Sequence, residues 1–409
     1  PHALGQRSLG DTAPPARQRQ IGTQLEKGTL NRQSRISYAS RIHGRDKTMT
    51  EFQKSLDVLA KKGRLRGRRL LPKNSIDFAS NDYLGFKKDQ KSFEAAVKAV
   101  KKEGLFAPSA SQLVYGYQNS HKKLENTLKK MYDFEDALIV GSGFLANTAL
   151  VSALAGHNDL ILMDEEYHAS GIAALSLSKA KYELFAHSDA NDLECKLKDA
   201  KFGRVFIFVE SVYSMIGDIL PMSVIEIADK YGAYLIIDEA HGHGTIGAKL
   251  GGIYDYYNIT PSKKHIKMGT LSKAVGSYGA YILGAKEIID FLLNRAKPVI
   301  YSTALSPIDV EIARIRVEKI SKKSSSFKEK IDKRLSIAEK YLGKKFLTPI
   351  IMIESPNSKK IHTKLLKMNI ITGYIRPPTV KSDHIRLIAN IGEDLEDFKK
   401  ALEIIKRYA

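Results

Sequence analysis

From about Leu124 onward, the sequence alternates short apolar runs rich in β-branched residues with amphipathic helical stretches. The apolar runs show little polar alternation, which is typical of strands covered by helices on both faces, so the pattern predicts an α/β fold. Strands are predicted at 137–140, 160–163, 205–209, 234–237 and 280–283, with helices between them at 147–155, 191–200, 223–231 and 286–295.

After about Ser306 the pattern changes to a long Lys-rich helical region, followed by a strand at 349–353 and helices at 359–368 and 394–408. This change predicts a smaller C-terminal domain. We expect an N-terminal helix and arm at 49–95, a large domain at 96–305 and a small α+β domain at 306–409. Residues 1–48 contain nine basic and three acidic residues without an apolar period, and we expect a disordered tail or an artificial extension there.

Charge and cysteine content limit the possible partners and location. The formal net charge is +20, but the positive residues outside 1–48 are mainly lysines spread over helix faces, without the interleaved aromatic residues of a specific nucleic-acid binder. The only cysteine, Cys195, permits neither an intrachain disulfide nor a Cys-based zinc site, and we expect no metal.

The uncharged run 137–158 contains glycines and polar residues, so we interpret it as strand, turn and helix rather than a membrane span. Without a signal-peptide pattern, the predicted location is the cytoplasm.

Two glycine clusters have the spacing of a dinucleotide-binding loop. Gly141, Gly143 and Ala146 follow a predicted strand and open a helix, with Asp164 about 20 residues further on. This arrangement fits a nicotinamide dehydrogenase, but it also fits a helix N-terminus that holds the phosphate of any cofactor. A second cluster at 242–247 is separated from its strand and precedes a poor helical sequence, which excludes it as such a loop.

Polar residues with matching chemistry follow successive predicted strands. They are Ser142 and Gly143, then Asp164 and His168, then Glu210 and Ser214, then Asp238 and His241; Thr270 and Lys273 come next and precede the predicted strand at 280–283. In an open α/β sheet, the ends of successive strands form the ligand crevice. A lysine, an aspartate, two histidines, hydroxyls and a phosphate seat are the groups that pyridoxal phosphate requires.

Six motifs show a resemblance to a known family. Over roughly 52–407 the sequence resembles the α-oxoamine synthases, which are fold-type I pyridoxal-phosphate enzymes with a large domain built on a mostly parallel mixed sheet. The motifs are SNDYLG at 80–85, SGFLAN at 142–147, YHAS at 167–170, DEAHG at 238–242, GTLSKA at 269–274 and RPPTV at 376–380.

The resemblance implies specific roles for individual residues. Lys273 would form the Schiff base with pyridoxal phosphate, Asp238 would pair with the pyridine nitrogen, and His168 would stack on the ring and approach the substrate; these three are the expected catalytic residues. The other implied cofactor contacts are backbone at Gly143 and Phe144, the side chains of Ser214, His241 and Thr270, and Thr303 from a neighbouring subunit. The implied substrate contacts are Arg66, Asn81, His168, Arg376, Thr379 and Arg386.

The RPPTV motif resembles the branch of the family that condenses L-alanine with a pimeloyl thioester, with loss of carbon dioxide, in biotin biosynthesis. The acyl carrier could be coenzyme A or a carrier protein, and the shared site implies a homodimer. The 5-aminolevulinate, 2-amino-3-ketobutyrate and serine palmitoyltransferase branches stay open as alternatives. The sequence departs from the family pattern at 107–112, where a Gly-rich stretch is usual, and in a shortened loop after Thr379.

Overall fold

The computed structural model describes residues 50–199, 201–377 and 379–409. The expectation for residues 1–48 lies outside these ranges. The described residues divide into two compact units, the first ending at Leu70 and the second spanning 71–409. In the first unit, helix α1 spans Glu51–Lys61, and the side chain of its N-cap residue Thr50 accepts a hydrogen bond from the backbone of Gln53 at 3.2 Å.

A seven-stranded sheet organises the second unit. Its strands are β2 (Asp136–Val140), β3 (Leu160–Asp164), β4 (Lys181–Phe185), β5 (Val205–Glu210), β6 (Tyr234–Asp238), β7 (His265–Thr270) and β8 (Ala280–Gly284). They lie in the order β2-β8-β7-β6-β5-β3-β4. β8 pairs antiparallel with both of its neighbours, and all other pairings are parallel.

Helices cover both faces of this sheet. Alternate strand residues therefore enter two separate cores, with Ile161 and Phe208 in one and Leu162 and Ile207 in the other. Each fully buried side chain of this kind contributes ~1.5–3 kcal/mol to folding. The helices of this part are α2 (Gln90–Glu103), α3 (Asn119–Tyr132), α4 (Gly143–Ala153), α5 (Ala169–Ala174), α6 (Ala190–Lys198), α7 (Met222–Lys230), α8 (Ile253–Tyr257), α9 (Lys286–Arg295) and α10 (Lys297–Ile300).

A second sheet has four strands in the order β1-β10-β11-β9. β1 pairs parallel with β10, and the remaining pairs are antiparallel. Its elements are β1 (Ile76–Phe78), α11 (Pro307–Leu342), β9 (Ile350–Glu354), α12 (Ser358–Lys367), β10 (Ile370–Ile375), β11 (His384–Ile388) and α13 (Leu395–Tyr408). The 36-residue helix α11 packs against α2, α3 and α13 and so links the two sheets.

The α/β fold predicted from the sequence is confirmed. Every predicted strand is present and begins within two residues of its expected start, and every predicted helix is present and begins within four. The patterns missed β1, β4, β7, β10 and β11. β4 is an edge strand whose first four residues are exposed, so it lacks an apolar signature. β7 is fully buried but contains Lys267, whose Nζ donates to the carbonyl of Gly251 at 2.6 Å and lies 3.8 Å from the ring centre of Tyr132. In the described part of the chain, no helix is both long and apolar enough to cross a membrane.

Candidate active site

The polar residues expected at strand ends meet at one edge of the seven-stranded sheet. The parallel strands β3, β5, β6 and β7 end at this edge with Asp164, Glu210, Asp238 and Thr270. β8 runs in the opposite direction and begins here, so the connection from β7 to β8 brings Lys273 to the same edge. Segments that lie far apart in the sequence therefore supply a single crevice.

The N-terminus of α4 forms one wall of this crevice. The side chain of the N-cap residue Ser142 accepts from the backbone of Leu145 at 3.2 Å, which leaves the N–H groups of Gly143 and Phe144 in the first turn without intrahelical partners. A Cβ at Gly143 would lie 3.9 Å from the Cβ of Thr270, in van der Waals contact, so the glycine adjoins the residue that carries that hydroxyl. Backbone donors at a helix N-terminus opposite a hydroxyl suit a phosphate group.

Lys273 heads a chain of hydrogen bonds. Its Nζ lies 2.7 Å from Nε2 of His241, and Nδ1 of the same imidazole lies 2.6 Å from the hydroxyl of Tyr83. Burial lowers the pKa of Lys273 to about 8. Burial, together with the charges of Lys273 and Arg386, holds the pKa of His241 well below its ordinary value. The imidazole is therefore neutral, and its Nε2 can accept a hydrogen bond from Lys273 only if Nδ1 carries the hydrogen and donates to Tyr83.

Asp238 is held in one orientation by two donors. Asn147 Nδ2 donates to Oδ2 at 3.0 Å, and the backbone N–H of Ala240 donates to Oδ1 at 2.8 Å. Asn147 is itself fixed, because its Oδ1 accepts from the hydroxyl of Tyr167 at 2.7 Å. The amide also donates to Ser170, whose hydroxyl lies 2.7 Å from Nδ1 of His168. Asp238 and the His168 ring are thus oriented by the same polar network.

Arg386, on β11, joins the second sheet to this edge. Its Nη2 donates to Oδ1 of Asn81 at 3.0 Å, and its Nε donates to the backbone carbonyl of Ser214 at 3.0 Å. The side chain is only 7% exposed, so its charge is largely removed from water. A buried guanidinium beside an amide is suited to bind a carboxylate.

Glu210 lies behind Lys273 and Asp238 and is 2% exposed. Burial and the nearby charge of Asp238 raise its pKa well above the ordinary value. Its Oε1 has no hydrogen-bond partner among the described residues. The neutral form of Glu210 is thus favoured more than in an ordinary carboxyl, and its Oε1 is free to bond an incoming group.

These residues line a cavity of about 180 Å³. Lys273, Asp238 and His168 all border it, together with Gly143, Phe144, His241 and Thr270. A nucleophilic amine, a carboxylate, a flat imidazole and a phosphate seat lie around one space, and the unpartnered Oε1 of Glu210 adds a polar atom beside it. The residues present fit pyridoxal phosphate. Within 50–199, 201–377 and 379–409, no group of three or more His, Cys, Asp or Glu residues is placed to hold a metal ion.

Several of the predicted residues lie outside the cavity. Ser214 reaches the site through its backbone carbonyl to Arg386, and Thr303 is exposed and bridges to Ser111. Arg376 and Thr379 are exposed on the turn after β10, where the backbone of Thr379 donates to the carbonyl of Arg376 at 3.1 Å. Arg66 belongs to the first unit, and its role stays a prediction.

Asp164, the acidic residue of the possible dinucleotide fingerprint, has another role. It is fully buried, and its two oxygens accept from the Tyr213 hydroxyl at 2.7 Å, from the Ser188 backbone at 2.9 Å and from the Glu166 backbone at 2.9 Å. His187 Nδ1 lies 3.0 Å away. A carboxylate with so many protein partners is not available to a ribose, which removes the basis for the dehydrogenase alternative.

Sequence reasoning assigned no role to Tyr83, Asn147 or Glu210, which the structure places in direct contact with the predicted residues or beside them. Tyr83 and Asn147 lie inside the SNDYLG and SGFLAN motifs, and Glu210 directly follows the predicted strand at 205–209. The sequence therefore marks the neighbourhood of all three residues, but a motif does not tell which neighbour a side chain will bond.

Comparisons with known proteins agree with this geometry. A family model described as "Aminotransferase class I and II" matches residues 73–405. The 8-amino-7-oxononanoate synthase of Helicobacter pylori is 38% identical over 363 residues, which covers 88% of this chain and 97% of that protein.

Two solved structures extend the comparison to the fold. A serine palmitoyltransferase from Sphingomonas wittichii superposes with a TM-score of 0.80 at 22% identity, over 88% of this chain and 98% of its own, which shows a shared fold. An 8-amino-7-oxononanoate synthase from Francisella tularensis has a TM-score of 0.69 at 26% identity, over 82% and 98%. The chain therefore belongs to the aminotransferase class I and II family and, within it, to the α-oxoamine synthases.

Proposed function

We propose that this protein is a pyridoxal-phosphate-dependent acyltransferase that condenses L-alanine with a pimeloyl thioester to give 8-amino-7-oxononanoate, the free thiol carrier and carbon dioxide, a step of biotin biosynthesis. The observation that carries the proposal is the meeting of Lys273, Asp238 and His241 in one crevice of a chain that is 38% identical to an enzyme of that name.

Lys273 would hold the cofactor covalently and move the substrate proton. The pKa of about 8 leaves an appreciable fraction of Nζ as the neutral amine near neutral pH, which is the form that attacks a carbonyl and accepts a proton. His241 Nε2, at 2.7 Å, accepts a hydrogen bond from Nζ and so directs the nitrogen lone pair. Once the amino group of alanine has replaced Nζ on the cofactor, we expect the freed amine to take the proton from Cα of alanine and later to return one to the product.

Asp238 would act on the cofactor's pyridine nitrogen. Pyridoxal phosphate supplies an electron sink for the negative charge that develops at Cα, and the sink works best with a protonated ring nitrogen. The donors Asn147 and Ala240 hold the carboxylate in place, so that it need not reorganise when the charge develops. His168, fixed at Nδ1 by Ser170, would face the cofactor ring with its flat side and could donate a proton to the incoming carbonyl.

Asn81 and Arg386 would bind the carboxylate of alanine. They already bond to each other at 3.0 Å, and the guanidinium is held at its Nε by Ser214. Arg386 therefore needs little rearrangement to present its remaining donors. Gly143, Phe144 and Thr270 would hold the phosphate at the other end of the cavity.

Arg66, Arg376 and Thr379 are proposed contacts for the acyl thioester. Arg376 and Thr379 are exposed and carry donors that suit the anionic groups of a pimeloyl thioester. The resemblance of the RPPTV segment supports this assignment.

We infer a homodimer in which Thr303 completes the phosphate site of the neighbouring subunit. Thr303 is exposed and bridges to Ser111, within a segment that presents large apolar side chains to solvent. Phe106, Val114 and Tyr115 are each more than two-thirds exposed, an arrangement that favours an interface.

Two further proposals concern organisation and location. We divide the chain into an arm at 49–95, a large domain at 96–305 and a small domain at 306–409. The separate seven-stranded and four-stranded sheets support the boundary between the large and the small domain, and β1 of the arm pairs with β10 of the small domain. The single free Cys195 is consistent with the reducing cytoplasm.

The test is thiol release from pimeloyl-coenzyme A by the purified protein, with L-alanine and glycine in parallel. Enzyme treated with borohydride serves as the blank, since reduction makes the bond between Lys273 and the cofactor permanent. We expect release with alanine and none after borohydride. Release with glycine alone would instead favour a 5-aminolevulinate or 2-amino-3-ketobutyrate type of synthase. Thiol release from palmitoyl-coenzyme A in the presence of L-serine tests the remaining branch, serine palmitoyltransferase.

A further inference from the structure

A histidine outside the cavity lies between two carboxylates. His187, in the turn after β4, has Nδ1 at 3.0 Å from Asp164 and Nε2 at 2.7 Å from Asp218. Its ring also packs edge-on against Tyr213, with centroids 4.3 Å apart. Burial opposes the charged form, but the two carboxylates outweigh it and raise the pKa of His187 to about 10. The imidazole is therefore a cation near neutral pH, and each of its N–H groups donates to a carboxylate.

His187 connects the end of β3 to the loop at 211–220. Asp164 belongs to the strand end and also accepts from the hydroxyl of Tyr213, which is in the loop. Within the loop, Tyr213 N donates to Asp218 O at 3.0 Å, and Gly217 N donates to Tyr213 O at 2.8 Å. Tyr213 and Asp218 thus close this turn. Asp218 contacts His187 itself, and Tyr213 contacts Asp164, the other partner of His187.

The other side of the loop is also confined. The carbonyl of Gly217 accepts from the hydroxyl of Thr348 at 2.7 Å, and Gly217 has a φ of +80°. A Cβ on this residue would lie 2.7 Å from the carbonyl oxygen of Ile350. The loop is therefore held between the His187 cation on one side and the start of β9 on the other.

Ser214 is at the tip of this loop, and its carbonyl receives Nε of Arg386. We propose that His187 is a positioning residue for the amino-acid substrate: it fixes the loop at 211–220 so that the Ser214 carbonyl sets the orientation of the Arg386 guanidinium. This proposal rests on the role of Arg386 in carboxylate binding given above.

The proposal predicts a selective loss of carboxylate recognition. Replacing His187 by Asn removes the cation and one of its two donors, leaves the buried Asp164 beside a neutral group and releases Asp218. The guanidinium would then sample orientations that no longer match the substrate carboxylate. We expect the affinity for L-alanine to fall about tenfold, the effect of losing one well-oriented charged hydrogen bond.

The test compares L-alanine with ethylamine, which is alanine without its carboxylate. Both are titrated into the holoenzyme without acyl substrate, and binding is followed by the change in cofactor absorbance. In His187→Asn the alanine affinity should fall while the ethylamine affinity stays within about twofold, because only the former depends on Arg386. The control variant His157→Asn changes an exposed histidine and should alter neither the alanine affinity nor the ethylamine affinity.

Equal losses for both amines, or no loss for alanine, would overturn the proposal, since a merely structural residue would weaken the whole site or none of it. If His187→Asn does not fold, Asp218→Ala removes the partly exposed partner and should give the same selective loss. The measurement does not require turnover, so it remains valid if the wild type fails to release thiol from pimeloyl-coenzyme A. If glycine proves to be the substrate, glycine and methylamine replace the two ligands.

Discussion

The strand-end cluster around Lys273 and the turn after β10 that carries Arg376 differ in how their side chains are held. In the cluster, Asp238 and His241 are each 4% exposed; Asp238 bonds to Asn147, and His241 bonds to Lys273. On the turn, Arg376 and Thr379 are exposed, and the hydrogen bond described between them is a backbone one. Chemistry that every member of a family shares can be built on the first kind of site, whereas the second kind can change with the substrate.

The contrast has an energetic cause. Groups that are buried and bonded to each other are preorganised, so that they lose little entropy or solvation when the reaction proceeds. Groups on an exposed turn must be ordered when the ligand binds, and solvent screens their charge. Substitutions in the cluster should therefore reduce turnover, and those on the turn should mainly change affinity.

The largest effect is expected for Lys273→Ala. The variant lacks the amine that we propose to hold the cofactor and to move the Cα proton, so turnover should fall by a factor of about 10³ or more. The absorbance band of lysine-bound cofactor should disappear as well. Thiol release and the absorbance spectrum are the two measurements, with Lys381→Ala, an exposed lysine, as the control. An active Lys273→Ala protein would contradict the assignment of the site.

Asp238→Asn should rank second. The amide keeps the size of the carboxylate but loses the charge that favours a protonated ring nitrogen, and kcat should fall about 10²-fold. Cofactor content, measured after dialysis, should be close to that of the wild type because the other contacts remain. Asp290→Asn, on the exposed face of α9, is the matched control. Loss of cofactor without loss of kcat in the loaded fraction would assign Asp238 to binding alone.

The pH dependence of cofactor capture tests the burial of the lysine. The neutral amine is the reactive form, and lowering the pKa of Lys273 to about 8 makes this form dominant above that pH. The rate at which apoprotein captures pyridoxal phosphate should therefore rise about tenfold per pH unit below pH 7 and level off above about pH 8–9. A midpoint near 10.5, the ordinary value for lysine, would show that the amine is solvated and would weaken the contrast between the two regions.

Arg376→Ala should have the smallest effect. An exposed guanidinium contributes little, so the KM for the acyl thioester should rise about two- to fivefold, with the KM for alanine unchanged. Steady-state kinetics with each substrate varied in turn give both values, and Lys381→Ala removes another positive charge from the same region as a control. A larger rise in the alanine KM than in the thioester KM would move Arg376 to the amino-acid side of the site.

The sequence predicted the part of the site that depends on strand order. Glu210 and Asp238 stand at the ends of β5 and β6 as expected, because the carboxyl ends of parallel strands meet at one edge, whereas Thr270 ends β7, a strand that the sequence pattern did not predict. It did not predict that Tyr83 would bond to His241 over a separation of 158 residues, since side-chain pairing depends on packing between distant segments. Among the strands, β7 was missed because its buried Lys267 reads as a solvated residue until Gly251 and the Tyr132 ring are placed around it.

The reversed direction of β8 also affects how the site is assembled. β7 and β8 form the pairs Gly269↔Tyr281 and Thr270↔Ala280, which enclose the short connection that carries Lys273. Closing this hairpin requires contacts between residues only about a dozen positions apart, whereas each parallel pair must first bring a whole crossover together. Lys273 thus lies in the segment of lowest contact order in its sheet, so its local geometry can form early in folding, before the more distant Asp238 and Arg386 arrive.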